Sequence, residues 1–265
     1  MPRSRVPALA AALLALTATT VAGTSVGTGY AADVHYVALG DSYSAGGGSS
    51  TEYLNSCHQT TKSYPYLYAQ ATSPASFAFQ ACGGADTADV LNGQLGPLDA
   101  GTTLVSVTIG GNDVDLSGVM SSCLFGTEAA CLDAVASAEA AAGAELPGRL
   151  GTLYTAIRAR ATGAKVVVLG YPKFFDLDKP LCPGMGATRR AALNHGAEVL
   201  DETIRAAVAK HPGFVYQDVT DRFAGHRLCD AEPWLHALNW PIGQSFHPTA
   251  AGQAGAYLPA LRAGV

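Results

Sequence analysis

The sequence predicts an α/β domain built on a five-stranded, mostly parallel sheet with helices on both faces. Short β-prone segments alternate along the chain with longer segments of helical character, which is typical of parallel sheets covered on both sides. Three of the β-prone segments end in glycine-rich turns. Because ligands of such sheets bind outside the carboxyl ends of the strands, these turns are the first place to look for function.

The predicted elements follow in order along the chain. The strands are expected at residues 34–39, 76–81, 103–109, 165–169 and 213–219. The helices are expected at residues 63–71, 128–144, 147–161, 188–210 and 248–261. Pro65 and Pro147 fall in first turns of helices, where a missing N–H has little effect. Pro248 is expected at or next to the first position of the closing helix.

The first 31 residues have the pattern of a secretory signal peptide. Arg3 and Arg5 precede an apolar run over residues 6–16, and small residues follow up to Ala31. A basic start, a short apolar region and a small-x-small site favour cleavage after Ala31. The sequence therefore predicts a secreted, extracellular protein whose mature chain, residues 32–265, forms one domain. A G-x-S-x-G match at residues 23–27 falls inside this segment and is set aside.

Charge and composition limit the partners. The 265-residue chain has a net charge of −5, and its basic residues are scattered rather than grouped in a stripe, which disfavours nucleic acid. No apolar stretch reaches the length of a membrane span. We expect a monomer that acts on a small-molecule or lipid substrate without stable insertion into a membrane.

Six cysteines follow the predicted cleavage site. An even number in an exported chain favours three disulfides, for which fifteen pairings are formally possible. Pairing neighbours in order closes short local loops, and we favour it. The expected bonds are Cys57–Cys82, Cys123–Cys131 and Cys182–Cys229. No C-x-x-C or H-x-x-x-H spacing occurs, so neither a metal site nor a cofactor is predicted.

Polar or glycine residues follow three of the predicted strands: Gly40-Asp41-Ser42, Cys82-Gly83-Gly84 and Gly110 to Asp113. Strand topology should bring them to one edge of the sheet. A serine there, at the start of a helix, lies among free N–H groups that favour an anion. An acyl-transfer intermediate needs such donors. Each turn alone is common in proteins without such a role.

His247 is the best candidate for a base acting on Ser42. It precedes the predicted closing helix, on a loop that returns to the edge of the sheet. For any single one of the seven histidines, a structural role is more common than a catalytic one. The choice of His247 therefore depends on its position and on its combination with the other residues.

In combination, these residues resemble the four sequence blocks of the SGNH (GDSL-type) hydrolase family. The blocks are Gly40-Asp41-Ser42, Gly84, Gly111-Asn112-Asp113 and His247. The chain is most similar to secreted actinomycete lipases and esterases, which also carry three disulfides paired in sequence. The resemblance implies a three-layer α/β/α sandwich of flavodoxin-like strand order. It further implies that Ser42 is the nucleophile, that His247 is the general base and later the acid, and that the N–H groups of Ser42 and Gly84 and the Asn112 side chain form the oxyanion hole.

One feature departs from the pattern of many members. The position three residues before His247 holds Gln244 instead of aspartate. We therefore expect a Ser42–His247 dyad in which a main-chain carbonyl of Gln244 or Ser245 orients the imidazole. Asp41 and Asp113 are expected to hold their own turns through hydrogen bonds to the backbone.

The expected reaction is the hydrolysis of carboxylic esters, fatty-acyl esters in particular. Phospholipase A1 activity, carbohydrate acetyl esterase activity and a non-catalytic glycan-binding role are the alternatives. Apolar residues near the motifs are expected either to line an acyl groove or to belong to the core; they are Tyr43, Val114, Leu116, Phe174, Phe175, Trp234 and Trp240.

Overall fold

The fold is seen in a computed structural model that describes residues 1–2, 33–180, 182 and 184–265. The predicted signal peptide, apart from its first two residues, lies outside the described residues, as does the motif at residues 23–27.

A five-stranded parallel sheet forms the centre of the domain. Its strands are β1 (His35–Gly40), β2 (Ser76–Phe79), β3 (Leu104–Thr108), β4 (Lys165–Leu169) and β5 (Phe214–Gln217). The strand order is β2-β1-β3-β4-β5, with every neighbouring pair parallel. This confirms the predicted fold class and strand order. The order reverses between β1 and β3, and ligands of open parallel sheets bind at such a point.

Helices cover both faces of the sheet. They are α1 (Ser42–Ala45), α2 (Tyr64–Thr72), α3 (Thr87–Asp89), α4 (Leu116–Phe125), α5 (Glu128–Ala144), α6 (Leu146–Arg160), α7 (Ala187–Val208), α8 (Ala250–Gly252) and α9 (Leu258–Gly264). Single π-helical turns, Val90–Gln94 and Gln253–Tyr257, follow α3 and α8. The helices α3 and α4 were not predicted from the sequence, whereas α1 begins at Ser42, where a helix start was expected.

The prediction for the closing helix was wrong in its start and in its regularity. Pro248 is outside the helix and forms an isolated bridge with Leu235. Thr249 caps the helix instead, because its hydroxyl accepts the N–H of Gly252 (3.2 Å). The segment then passes through the π-helical turn and ends at Gly264.

The β-branched strand β4 belongs to the core, and its Val166, Val167 and Val168 are fully buried. The three disulfides join Cys57 to Cys82, Cys123 to Cys131 and Cys182 to Cys229, which is the predicted pairing. Within the described part of the chain, none of the helices combines the length and apolarity needed to span a bilayer.

Candidate active site

Ser42 lies at the point where β1 ends and α1 begins. The turn requires Gly40, whose φ of 123° is unfavourable for other residues and whose Cβ would collide with the Thr108 carbonyl. Asp41 caps α1 by accepting the N–H of Tyr43 (2.9 Å), as expected for this turn. The nucleophile candidate is therefore fixed on both sides by local structure.

His247 meets Ser42 across 205 positions of sequence. Its Nε2 lies 2.7 Å from the Ser42 hydroxyl oxygen, and its Nδ1 lies 3.0 Å from the Ser245 carbonyl oxygen. Since a carbonyl only accepts, Nδ1 carries the proton and Nε2 accepts the hydrogen bond from Ser42. No carboxylate among the described residues bonds to Nδ1, and the Gln244 side chain instead contacts Ser50 and Asn239.

The loop that carries His247 is held by hydrogen bonds on both sides. The Tyr43 hydroxyl donates to the Phe246 carbonyl (2.8 Å). The backbone of His236 donates its N–H to His247 and accepts the N–H of Phe246 (3.0 and 2.9 Å). Phe246 has a φ of 61°, so these contacts maintain a conformation that is rare for an aromatic residue. The imidazole is thereby positioned by tertiary contacts.

The surroundings keep the His247 imidazole neutral. Burial disfavours the charged form and lowers the pKa of His247 to about 4, while the Ser245 carbonyl acts in the opposite direction. A neutral imidazole has a free lone pair on Nε2 at neutral pH, and it is therefore competent to accept the Ser42 proton.

Three candidate hydrogen-bond donors, the N–H groups of Ser42 and Gly84 and the Asn112 side chain, follow the carboxyl ends of β1, β2 and β3, which are neighbours in the sheet. Among the described residues, no acceptor bonds to the N–H of Ser42 or of Gly84. Gly84 has a φ of 84°, and the space where a Cβ would lie is empty. The Asn112 side chain donates one N–H to the Ala85 carbonyl (2.8 Å), which fixes the amide and leaves its second N–H for another acceptor.

Asp113 does not hold its own turn, contrary to the expectation. Its carboxylate reaches across to Thr87 and accepts both the hydroxyl (2.6 Å) and the N–H (3.0 Å) of that residue. The reason is that Thr87 opens α3, where free N–H groups attract a carboxylate. Burial raises the pKa of Asp113, and the bonds from Thr87 oppose the shift. The contact links the loop of Asn112 to that of Gly84.

Sequence reasoning missed two polar side chains that organise this edge. The Tyr171 hydroxyl donates to Asp41 and accepts the N–H of Gly111 (3.0 Å). Gln94 forms paired bonds with the backbone N–H and carbonyl of Gly40 (both 2.8 Å). Tyr171 follows the end of β4, and that position was the signal that could have identified it. Gln94 lies in a π-helical turn and gave no such signal.

A narrow, mostly apolar cavity lies between α4, α5 and α7, with Tyr171 in its lining. Its lining includes Val114, Leu116, Val119, Phe174, Leu193 and Leu200. Of the residues expected in a groove or in the core, Val114, Leu116 and Phe174 line this cavity, and Tyr43 and Phe175 are buried in the core. Trp234 stacks on His226 (3.7 Å between ring centroids). Trp240 is exposed.

The sheet and the residues at its edge define the class of the protein as an α/β/α hydrolase of the GDSL type. Comparison with known proteins agrees with this class. The sequence profile of the GDSL-like Lipase/Acylhydrolase family matches residues 38–254. Lipase 1 of Streptomyces coelicolor is 48% identical over 253 residues, covering 94% of this chain and 93% of that protein.

Two solved structures are similar over most of the chain. The extracellular lipase of Streptomyces rimosus has a TM-score of 0.85 at 45% identity, covering 88% of this chain and 100% of that one. Phospholipase A1 of Streptomyces albidoflavus NA297 has a TM-score of 0.84 at 47% identity, covering 87% and 98%. The chain belongs to the GDSL-like Lipase/Acylhydrolase family and is a carboxylic ester hydrolase.

Proposed function

We propose that the protein is a secreted lipase or esterase that hydrolyses fatty-acyl esters through an acyl-Ser42 intermediate. The observation that carries the proposal is the 2.7 Å contact between His247 Nε2 and the Ser42 hydroxyl, and it is supported by three candidate donors that follow the carboxyl ends of neighbouring strands. A nucleophile in contact with a neutral base, beside an anion site, is the arrangement that acyl transfer requires.

In this mechanism, the Ser42 oxygen attacks the ester carbonyl while its proton passes to His247 Nε2. The charge on the carbonyl oxygen is stabilised by the N–H groups of Ser42 and Gly84 and by the Asn112 amide. His247 then gives the proton to the departing alcohol. Water attacks the acyl-Ser42 in a second cycle of the same steps, which releases the acid and restores the serine.

The Ser245 carbonyl takes the place of the third member of a triad. Its contact with Nδ1 (3.0 Å) fixes the tautomer and the ring orientation, but it compensates the imidazolium charge less than a carboxylate does. An ester needs less proton donation than an amide to release its leaving group, so a dyad suits this substrate class.

Fatty-acyl esters are the preferred substrates because the cavity between α4, α5 and α7 is lined mostly by apolar side chains. An acyl chain entering there would replace water on these surfaces, which favours binding. The relatives at 44–48% identity bear the names Lipase 1 and Lipase, and a structure at 47% identity is named phospholipase A1. Cleavage of phospholipids at the sn-1 ester is thus a second candidate activity.

Export and the extent of the mature domain belong to the same proposal. The three disulfides suit an oxidising compartment, and the Streptomyces rimosus relative is described as extracellular. We expect cleavage after Ala31 and a monomeric domain of residues 32–265. The mass of the secreted protein and its sedimentation coefficient test both points.

The activity is tested with p-nitrophenyl esters of increasing acyl length, using the mature protein and Ser42→Ala. The parent should prefer medium or long acyl chains and the variant should be inactive. Fast hydrolysis of acetylated xylan with slow hydrolysis of the fatty-acyl esters would instead support a carbohydrate acetyl esterase. Equal, near-zero turnover in parent and variant would support a binding protein.

The acyl pocket is tested by Ala138→Leu, which adds bulk to the cavity lining. We expect the preference to shift toward shorter acyl chains, with little change for the acetate ester. Ala136→Leu, on the exposed side of the same helix, is the matched control and should leave the profile unchanged. An unchanged profile in Ala138→Leu would contradict the pocket assignment.

A further inference from the structure

Three large apolar side chains point into solvent from the loop that precedes His247. Leu238 is 51% exposed, Trp240 85% and Ile242 52%. We call these three residues the apolar rim. An indole of such exposure is unusual for a soluble surface, because tryptophan is on average among the more buried residues. A group of three on one short loop indicates a surface that meets an apolar partner.

The base of this loop is ordered by hydrogen bonds, so the exposure is a property of a defined conformation. The N–H of Asn239 donates to the Ser245 hydroxyl (2.9 Å), and its side-chain amide donates to Gln244 (3.1 Å). Ser245 is also the residue whose carbonyl contacts His247. The apolar rim is therefore fixed to the same short segment that holds the imidazole.

A second loop with exposed apolar side chains is joined to the first by hydrogen bonds. The Gln244 side chain donates to the Ser50 carbonyl (3.2 Å), and His236 Nε2 contacts the Gly48 carbonyl (2.8 Å). Shortly after Ser50, Tyr53 and Leu54 are 39% and 52% exposed. These contacts bring the two loops together beside the glycine-rich turn that follows Ser42.

The segments that form this surface carry almost no charge. Residues 233–261 contain no Asp, Glu, Lys or Arg, and Glu52 is the only such residue within 42–61. The whole chain carries a net charge of −5, so attraction to an anionic membrane is not the cause of binding. Tryptophan with neighbouring aliphatic side chains, free of charge, suits the boundary between lipid head groups and acyl chains.

We propose that the apolar rim is the surface by which the enzyme adsorbs to a neutral or zwitterionic lipid surface. This inference rests on the proposed function, since an enzyme acting on fatty-acyl esters meets them in aggregates. Adsorption through the rim turns the edge of the sheet with Ser42 and His247 toward the lipid. Binding is shallow and reversible, as expected when a few apolar side chains enter the interface.

The experiment measures adsorption separately from catalysis by using vesicles of ether-linked phosphatidylcholine, which contain no ester to hydrolyse. The chain has two tryptophans, and Trp234 is stacked on His226, so a change in fluorescence on binding comes chiefly from Trp240. We expect a blue shift as vesicles are added, and quenching by lipids with brominated acyl chains. High salt should leave binding unchanged, because no charge pairing is involved.

Trp240→Ala should weaken partitioning by about tenfold, since burial of a large apolar side chain accounts for at least that factor. Its binding is followed by co-sedimentation with the vesicles. Trp240→Phe, which keeps a large apolar side chain, should partition to the vesicles more strongly than Trp240→Ala. Phe125→Ala is the matched control: this aromatic is 68% exposed, but it ends α4 and belongs to neither of the two loops that form the proposed surface. Its partitioning should equal that of the parent.

Several outcomes would overturn the proposal. They are equal partitioning of Trp240→Ala and the parent, binding that requires anionic lipid or low salt, and a stable dimer in which Trp240 is shielded by a second copy. Hydrolysis of soluble p-nitrophenyl butyrate is a separate measurement, and Trp240→Ala should retain it within about twofold. If the parent binds vesicles through Trp240 yet hydrolyses no ester, the proposed function fails while the adsorption surface remains.

Discussion

The pH dependence of catalysis follows from the environment of His247. Burial lowers the pKa of this imidazole to about 4, from an ordinary value of 6.5. The base is active when neutral, so kcat/KM should fall only as the pH drops through the lowered pKa. At pH ~5.5 an imidazole of pKa ~4 is about 97% neutral, whereas one of pKa ~6.5 is about 9% neutral. The structure thus predicts near-plateau activity at that pH.

The assay is kcat/KM for a soluble p-nitrophenyl ester between about pH 4 and pH 8, with far-ultraviolet circular dichroism recorded at each pH to confirm that the protein is folded. Asp41 needs a control, because burial raises the pKa of its carboxyl to about 7. Asp41→Asn retains an oxygen that caps α1 and removes this titration, so its acid limb should match that of the parent. A midpoint near 6.5 in folded protein would refute the account of His247.

Three further predictions concern the neighbouring residues. Asn112→Ala should lower kcat by ~10²–10³-fold with little change in KM, since an oxyanion donor acts mainly in the transition state; a change confined to KM would contradict this role. Thr87→Val removes the hydrogen bond from the Thr87 hydroxyl to Asp113 (2.6 Å). It should lower kcat by roughly tenfold, because the loss of a hydrogen bond to a charged group weakens the link between the loops of Asn112 and Gly84. Steady-state kinetics equal to those of the parent would exclude that link. Burial raises the pKa of Asp201 from 3.8 to about 7, so the native state holds a proton that the unfolded state releases, and stability falls as pH rises through this window. Asp201→Asn should remove the share of that dependence due to Asp201, at most about 4 kcal/mol, in urea unfolding at several pH values. The share due to Asp41, whose pKa burial also raises to about 7, should persist, and the exposed Asp133→Asn should retain both.

The fold could be predicted because its signals are local. The apolar strand β4 and the helix α5 were predicted with the bounds that the structure has. Nearby residues determine the secondary structure of both segments. The first is a run of valines of strand length. The second is an alanine-rich segment that follows Thr127, whose hydroxyl accepts the N–H of Ala130 (3.1 Å). The closing segment was mistaken because Pro248 pairs with Leu235, a contact that the sequence does not reveal.

The candidate site could be assembled only in part from the sequence. Ser42, Gly84, Asn112 and His247 follow strand ends or precede a helix, and parallel strands bring such positions to one edge. The contacts that fix them are non-local: Tyr171 with Asp41, Gln94 with Gly40, and Asp113 with Thr87. Each depends on the register of the whole sheet, and therefore no pattern of neighbouring residues indicates it.

The most direct test of the central assignment is the mass of the protein after reaction with a fluorophosphonate, followed by peptide mapping. We expect one phosphonyl group per protein, attached to Ser42. Labelling should be absent in Ser42→Ala and much slower in His247→Ala. Stoichiometric labelling of another residue, or labelling of Ser42 at an undiminished rate without His247, would contradict the assignment.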